Sequence, residues 1–443
     1  MIDLGEAAPL DRLITRFRAS LGETDLLRRR GVPAPEVTEA DPLRSLYDRL
    51  IAPLHGALAV GAGGVPLVLA PDGELCRLPF EVLRSPGGRY LVEDHVVSYV
   101  TVGRDVVRFM EPQLQTTGAI VVADPDYDLE AGGAGGSVMP AAGGNADRGK
   151  PAPLLRQLRD DGKGFSRLPG TRVEGEAVAR QLKENGIPVA AFWLDAEAVE
   201  ETFKAVRKPA ILHVATHGFF LENAGQSARD QILHGFGLRE GPVPLTGGGR
   251  YIESPLLRSG LVLAGVNTTL NGGSAPDDAE DGILNALDLM TMDLMGTELM
   301  TLSACETGLG EVQRGEGVMG LRRSCVLAGV RTLVMSLWHV PDLATAILME
   351  RFYENLLLRH LPRAEALREA QAYTRTITVG QMRDRWLCEA MIARLSAGDE
   401  EVRNLLEELT AKSDDHPPFT DPFYWAAFIC QGDPAPLGKR GGP

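Results

Sequence analysis

Cysteine is scarce in this sequence, and so is positive charge. The five cysteines, Cys76, Cys305, Cys325, Cys388 and Cys430, are odd in number, widely spaced and never form a CxxC pair. That pattern excludes a disulfide framework and a cysteine-rich zinc site, and it implies a reducing, cytoplasmic setting. Lysine and arginine total 45 against 60 acidic residues, a formal charge of −15. A chain so acidic lacks the electrostatic footprint for nucleic acid or an anionic membrane, so its expected partners are soluble proteins. No stretch offers about 18 uninterrupted apolar residues, and "MIDLGEAAPLDRLITRF" has no basic n-region followed by an apolar core, so neither a membrane span nor an export signal is read.

What remains is a globular chain of 443 residues, 44% of them apolar, enough for two domains or one large composite. Leu10, Leu13, Ile14, Phe17 and Leu21 recur at helical spacing, and a Pro-containing linker follows at "GVPAPEVTEADP". From Pro42, "LRSLYDRLIAPLHGAL" predicts a helix, while "VPLVLAPDGELCRLPFEVL" and "RYLVEDHVVSYVTV" predict short strands broken by turns. A second unit opens with the buried-type strand of "TTGAIVVADPDYD", which ends in acidic residues; a Gly/Ala-rich loop then runs from about Gly132 to Gly164.

Thr171 and Glu174 form a T-x-x-E pattern that predicts a capping box, with Gly186 placed to end that helix. Three apolar strands come later, "AILHVATHG", "TELMTLSAC" and "VRTLVMSLWHV", with a helix at about 316–329 between the last two. Near-continuous apolar strands separated by helices predict a mostly parallel sheet covered on both faces. Sites in such sheets gather at the carboxyl ends of strands, where His217 and Cys305 both fall.

A thiol attacks only as the thiolate, and an imidazole is its natural base. If the two strands are neighbours, their ends lie about 5 Å apart, which allows a Cys–His dyad. Gly218 has no Cβ, so its N–H is open to a substrate carbonyl and, with the N–H of Cys305, is a candidate oxyanion donor. His213 lies deeper in its strand, on the same face as Ile211, Ala215 and His217, and reads as packing or support rather than as a ligand. No metal or nucleotide cofactor is called for. "GEGVMG", Gly315 to Gly320, satisfies G-x-G-x-x-G but lacks the strand directly before it, so it reads as a turn that packs the following helix. "NTT" at 267 is a glycosylation sequon without use in a cytoplasmic chain.

The strings "ILHVATHGFF", "SPLLRSGLVLAG", "LMTLSACETGLGEVQRGEGVMGLRRSCVLAGVRTLVMSLWHVPD" and "FYWAAFICQGDP" resemble the CHAT peptidases, caspase-like cysteine proteases related to separase. The resemblance covers roughly Leu43 to Pro434 and holds the motifs in the family's order. It implies an α/β, caspase-like three-layer fold: a mostly parallel central sheet with helices on both faces. The implied organisation is an N-terminal helix and linker (1–42), a non-catalytic pseudo-caspase-like α/β unit (43–112), a catalytic domain (113–434) and a tail (435–443). His217 maps to the catalytic histidine and Cys305 to the nucleophile of an endopeptidase that cleaves a dedicated protein, in the manner of regulated bacterial defence or cell-death proteases. The 88 positions between them (305 − 217) exceed the roughly 50 of caspases, and "SACET" replaces Q-A-C-x-G, so cleavage after aspartate is not implied.

Three further residues are candidate substrate contacts: Trp338, Asp342 and Glu306. Trp338 and Asp342 fall where the related fold builds its S1 pocket. Asp342 could receive a basic side chain or, alternatively, cap the helix beginning "LATAILMERF". Glu306, beside the nucleophile, would raise the thiol pKa unless it points away. Two other functions use the same parts: a silent interaction scaffold, and an acyl transferase or amidase. Family members commonly receive a signal through attached helical repeats, which this sequence does not display. That leaves activation by a separate protein partner, or a place within a longer protein.

Overall fold

The apolar runs fold around one eight-stranded sheet. A computed structural model describes residues 2–29, 41–56, 66–110, 114–131, 164–220, 255–304, 311–313, 317–397 and 399–438. Its strands are β1 (Leu67–Leu69), β2 (Val97–Tyr99), β3 (Ala119–Pro125), β4 (Val189–Asp195), β5 (Ile211–Ala215), β6 (Gly218–Phe220), β7 (Ser259–Val262), β8 (Ile283–Asn285), β9 (Leu299–Ser303), β10 (Glu311–Gln313), β11 (Gly317–Met319), β12 (Thr332–Ser336) and β13 (Phe428–Gly432). The large sheet runs β1-β2-β13-β12-β9-β5-β3-β4. Only the β12–β13 junction is antiparallel; every other neighbouring pair in it is parallel. Strands β1 and β2, from the 43–112 stretch, therefore belong to the same sheet as the strands that follow.

Every residue of β3, β5, β9 and β12 is buried. Because alternate residues of a strand face opposite sides, that pattern requires cover on both faces. The helix Asp342–Leu357 packs against both Pro169–Glu184 and Arg363–Thr376, and Ala286–Thr291 packs against Leu321–Ala328. The N-terminal helix Ala7–Arg29 contributes Leu10, Ile14, Phe17 and Leu21 to the same core, as its spacing predicts.

Local chemistry departs from the sequence reading at four places. Leu91–Asp94 is a helical turn rather than strand, because Glu93 turns back to accept the Tyr90 N–H at 3.0 Å and closes a capping box. The helix at Pro42 stops at Leu50, where Pro53 opens a short 3₁₀ turn. The helix expected at 316–329 begins only at Leu321, after β11, with Gly320 at its N-cap; Gly315 and Arg314 lie outside the described residues.

The fourth is the T-x-x-E pattern, which is not a cap. The helix starts two residues earlier, with Pro169 at its first position, where the missing N–H costs nothing. Thr171 then lies inside the first turn, donating to the Leu168 carbonyl at 2.7 Å and accepting from the Asp124 N–H at 3.1 Å. Gly186, at φ +75, follows the helix end as expected.

Candidate active site

Strands β4, β3, β5 and β9 lie side by side, and the chain passes from β3 first to β4 on one flank, then to β5 on the other. The carboxyl ends of β3 and β5 thus form a topological switch point, the crevice where open α/β sheets place their ligands. Tyr127 follows β3 and His217 follows β5, so both stand at that crevice.

The His217 imidazole lies between two aromatic rings, Tyr127 at 5.3 Å and Phe165 at 5.4 Å between centroids. Its Nε2 is 2.8 Å from the Ser166 carbonyl. A carbonyl only accepts, so Nε2 carries the proton, and Nδ1 of the neutral ring is left to take another. Burial depresses the His217 pKa below the ordinary imidazole value; the Ser166 hydrogen bond opposes this and the charge of His339 adds to it. Ser166 has no sequence signature as an orienting group, since what it supplies is a backbone carbonyl.

The backbone on either side of Ser166 is pinned. Arg167 makes a forked pair with Asp124, Nε to Oδ1 at 2.8 Å and a second nitrogen to Oδ2 at 2.7 Å. Arg172 joins Asp124 at 2.9 Å and Asp195 at 2.6 Å. Asp124, next to last in β3, and Asp195, last in β4, have positive φ, 44° and 48°, a conformation that aspartate tolerates better than most residues. The acidic strand ends seen in the sequence are therefore anchors for this two-arginine clasp.

Beyond His217 the chain enters a small antiparallel sheet, β6-β7-β8, in which Gly218 pairs with Leu261 and the His217 carbonyl accepts the Val262 N–H at 2.9 Å. On the other side, β5 and β9 are parallel neighbours with Ala215 opposite Ser303. Each strand is followed two residues later by a candidate: His217 after Ala215, Cys305 after Ser303. The description of β9 reaches Ala304; Cys305 and Glu306 lie outside the described residues, as does most of the Gly/Ala-rich loop.

Below this edge lies a buried polar chain. Ser303 donates to Glu174 Oε2 at 3.0 Å. Glu174 Oε1 is 3.2 Å from His213 Nε2, though off the line a hydrogen bond needs. His213 Nδ1 and Thr301 both meet the Tyr353 hydroxyl, at 3.2 and 3.1 Å. His213 is fully buried within this chain, in keeping with a supporting place.

Trp338 and Asp342 line a cavity together with Gly170, Glu174, Thr216, Ser303 and Ala304. Its volume of about 30 Å³ admits a water molecule or two rather than a long side chain. Trp338 is buried, donating through Nε1 to the Phe423 carbonyl at 2.9 Å and meeting the Phe17 ring edge-on at 6.1 Å. Asp342 does not cap its own helix: it is that helix's first residue, and its N-cap, Pro341, makes no side-chain cap bond. Instead Asp342 Oδ2 accepts the Gly170 N–H at 3.1 Å, in the first turn of the helix Pro169–Glu184. Burial pushes its carboxyl up to about 6, with Glu174 and Asp124 adding and the Gly170 bond opposing.

Among the described residues, no group of His, Cys, Asp and Glu could hold a metal ion, and no helix is long and apolar enough to cross a membrane.

The sheet and its switch-point histidine describe an α/β protein with a mostly parallel central sheet and a candidate site at its edge. The chain belongs to the CHAT domain family, which matches residues 40–433. Tetratricopeptide repeat protein 28 of Mus musculus is 26% identical over 321 residues, covering 71% of this chain; the chain spans 12% of that relative's length. Among solved structures, the Arg-specific cysteine proteinase gingipain R is 8% identical with a TM-score of 0.34, covering 78% of this chain and 55% of its own. The separase–securin complex of Saccharomyces cerevisiae is 11% identical with a TM-score of 0.36, covering 98% of this chain and 23% of its own.

Proposed function

We propose that this chain is a cysteine endopeptidase acting through a His217–Cys305 dyad. One observation carries the reading: β5 and β9 are adjacent, parallel and in register, with Ala215 opposite Ser303, so the "ATHG" and "SACETG" motifs leave the same sheet edge at matching offsets. His217 Nδ1 takes the Cys305 proton, and the thiolate sulfur bonds to the substrate carbonyl carbon. The oxyanion is met by backbone N–H groups, Gly218 among them. The C–N bond then breaks as His217 returns the proton to the leaving amine, and water hydrolyses the thioester, restoring the thiol.

The substrate in this reading is one dedicated protein, cleaved in a regulated bacterial defence or cell-death response after an activating partner has engaged. Asp342 and Trp338 line a cavity too small for a long side chain as it stands; widened on activation it would take the side chain before the scissile bond, and the carboxylate favours a basic one. Digestion of a peptide library by the purified protein, with Cys305→Ala as control, tests the proposal. Cleavage that disappears in the variant supports it; cleavage that persists in the variant, or no cleavage together with a Cys305 alkylated no faster than Cys388, overturns it.

A second reading, a silent scaffold of the same fold, is favoured by the small cavity at Asp342. Alkylation by iodoacetamide separates the two: a rate at Cys305 no faster than at Cys388 supports the scaffold.

A further inference from the structure

The sequon at 267 has no place in the function proposed above, yet its asparagine is nearly fully buried and every polar group of its side chain is used. Oδ1 accepts the Phe165 N–H at 2.9 Å, and Nδ2 donates back to the Phe165 carbonyl at 2.9 Å. The side-chain amide thus pairs with the backbone of residue 165 as a neighbouring strand would. Nδ2 also donates to Asp128 Oδ1 at 2.9 Å, and the Asn267 N–H donates to the Tyr127 carbonyl at 2.8 Å. The residues so held are the surroundings of His217: Phe165 and Tyr127 bring the two rings on either side of the imidazole, and the next residue after Phe165 is Ser166, whose carbonyl receives Nε2–H.

We infer that Asn267 is a positioning residue for His217: through its paired bonds to Phe165 it fixes the Ser166 carbonyl, and through both neighbours it fixes the aromatic slot, so that the imidazole is held as the Nε2–H tautomer with Nδ1 free to accept a proton. An amide is the side chain this place requires. It alone offers a donor and an acceptor side by side for one residue's N–H and C=O. Arg167, forked onto Asp124, anchors the other side of Ser166, so the carbonyl is held between two independent clamps. Removing either should let the carbonyl swing and the ring turn.

The inference rests on the dyad reading for its catalytic meaning, but its physical content can be measured without activity. The test is nitrogen NMR of ¹⁵N-histidine-labelled full-length protein, wild type, Asn267→Ala and Asn267→Asp, assigned with His217→Gln. Aspartate keeps the acceptor for the Phe165 N–H, loses the donor and sets a second carboxylate against Asp128; it serves if the alanine variant does not fold. Among the described residues the charged group that acts on His217 in such a titration is His339; in the dyad reading the Cys305 thiol joins it.

The expected result is an Nε2–H ring in the wild type, and in each variant a mixed tautomer and a His217 pKa shifted upward as the slot opens. If peptides are cleaved, kcat/KM falls by about tenfold or more and its acid limb moves to higher pH. Unchanged His217 nitrogen shifts in a folded variant overturn the inference and leave the peptidase reading standing. Altered shifts in the variants, with a wild-type Cys305 alkylated no faster than Cys388, support the clamp and overturn the peptidase reading. A fall in thermal stability alone, with shifts and pH profile unmoved, marks Asn267 as merely structural and also overturns the inference.

Discussion

Asp342 and Gly170 join two helices by one hydrogen bond, the carboxylate at the start of one taking the N–H in the first turn of the other at 3.1 Å. A free helix N-terminus attracts negative charge, so the pairing is favourable for the ionised form. Burial and the carboxylates of Glu174 and Asp124 nevertheless outweigh it, and the group titrates at about 6, above its ordinary 3.8. Folding therefore favours the proton. The stability that Asp342 contributes is fully present below pH 4 and is lost as pH rises through about 6.

Asp342→Asn keeps an acceptor for Gly170 and removes the charge. Urea unfolding should show the variant more stable than wild type at pH 8, by up to roughly 3 kcal/mol, with the gap closing toward pH 4. Equal stability at both pH values would remove the buried charge as a factor.

Gly170 is there because the carboxylate comes so close. A methyl group on it would fall on Asp342 Cβ and lie 2.6 Å from Oδ2. Gly170→Ala should destabilise the protein by about 1–3 kcal/mol, since neither helix start can shift freely. Pairing it with Asp342→Gly should recover part of that loss, because the clashing Cβ and the carboxylate behind it vanish together. A double-mutant cycle by chemical denaturation measures the coupling, and strict additivity would contradict the contact.

Thiol chemistry gives a direct view of the proposed nucleophile. Cys76, Cys325 and Cys430 are buried, and burial raises all three thiols, Cys430 to about 12. In the native protein at neutral pH, iodoacetamide should therefore modify only Cys305 and the partly exposed Cys388. Peptide mapping by mass spectrometry after timed labelling should find Cys305 the faster of the two, and slowed by His217→Ala. Label at Cys325 before unfolding would contradict the packing of the helix Leu321–Ala328.

The residues that sequence reasoning could reach are those whose role is written in their own neighbourhood. The apolar runs of β3, β5, β9 and β12 announce buried parallel strands, and a strand's end is visible where the run stops, which is why His217 could be placed at the sheet's edge from its position alone. The T-x-x-E pattern failed because Pro169 starts the helix first, a competition that the four-residue pattern does not contain. Asn267 and Ser166 were missed, and the capping alternative for Asp342 was misread, for a different reason. Their partners lie 102, 51 and 172 positions away, and Ser166 acts through an atom every residue has. Only the fold brings such pairs together.

If the proposed dyad cuts peptides and the small cavity beside Asp342 opens for the substrate, the charge of Asp342 also bears on which bond is cut. Without a basic side chain beside it, its carboxyl is half-protonated at about pH 6. A lysine or arginine side chain entering beside it would hold it ionised, so such a substrate must displace a proton at low pH but not at high pH. For two otherwise identical peptides, one with lysine and one with norleucine before the scissile bond, the ratio of kcat/KM values cancels the ionisation of His217 and Cys305. That ratio should rise with pH through about 6 and level off above it. Asp342→Asn should flatten the profile and lower the high-pH ratio by at least about tenfold, the loss expected when a buried charge pair is broken. A ratio independent of pH in the wild type would mean that Asp342 serves only the Gly170 N–H, and that the side chain before the cleaved bond is read elsewhere.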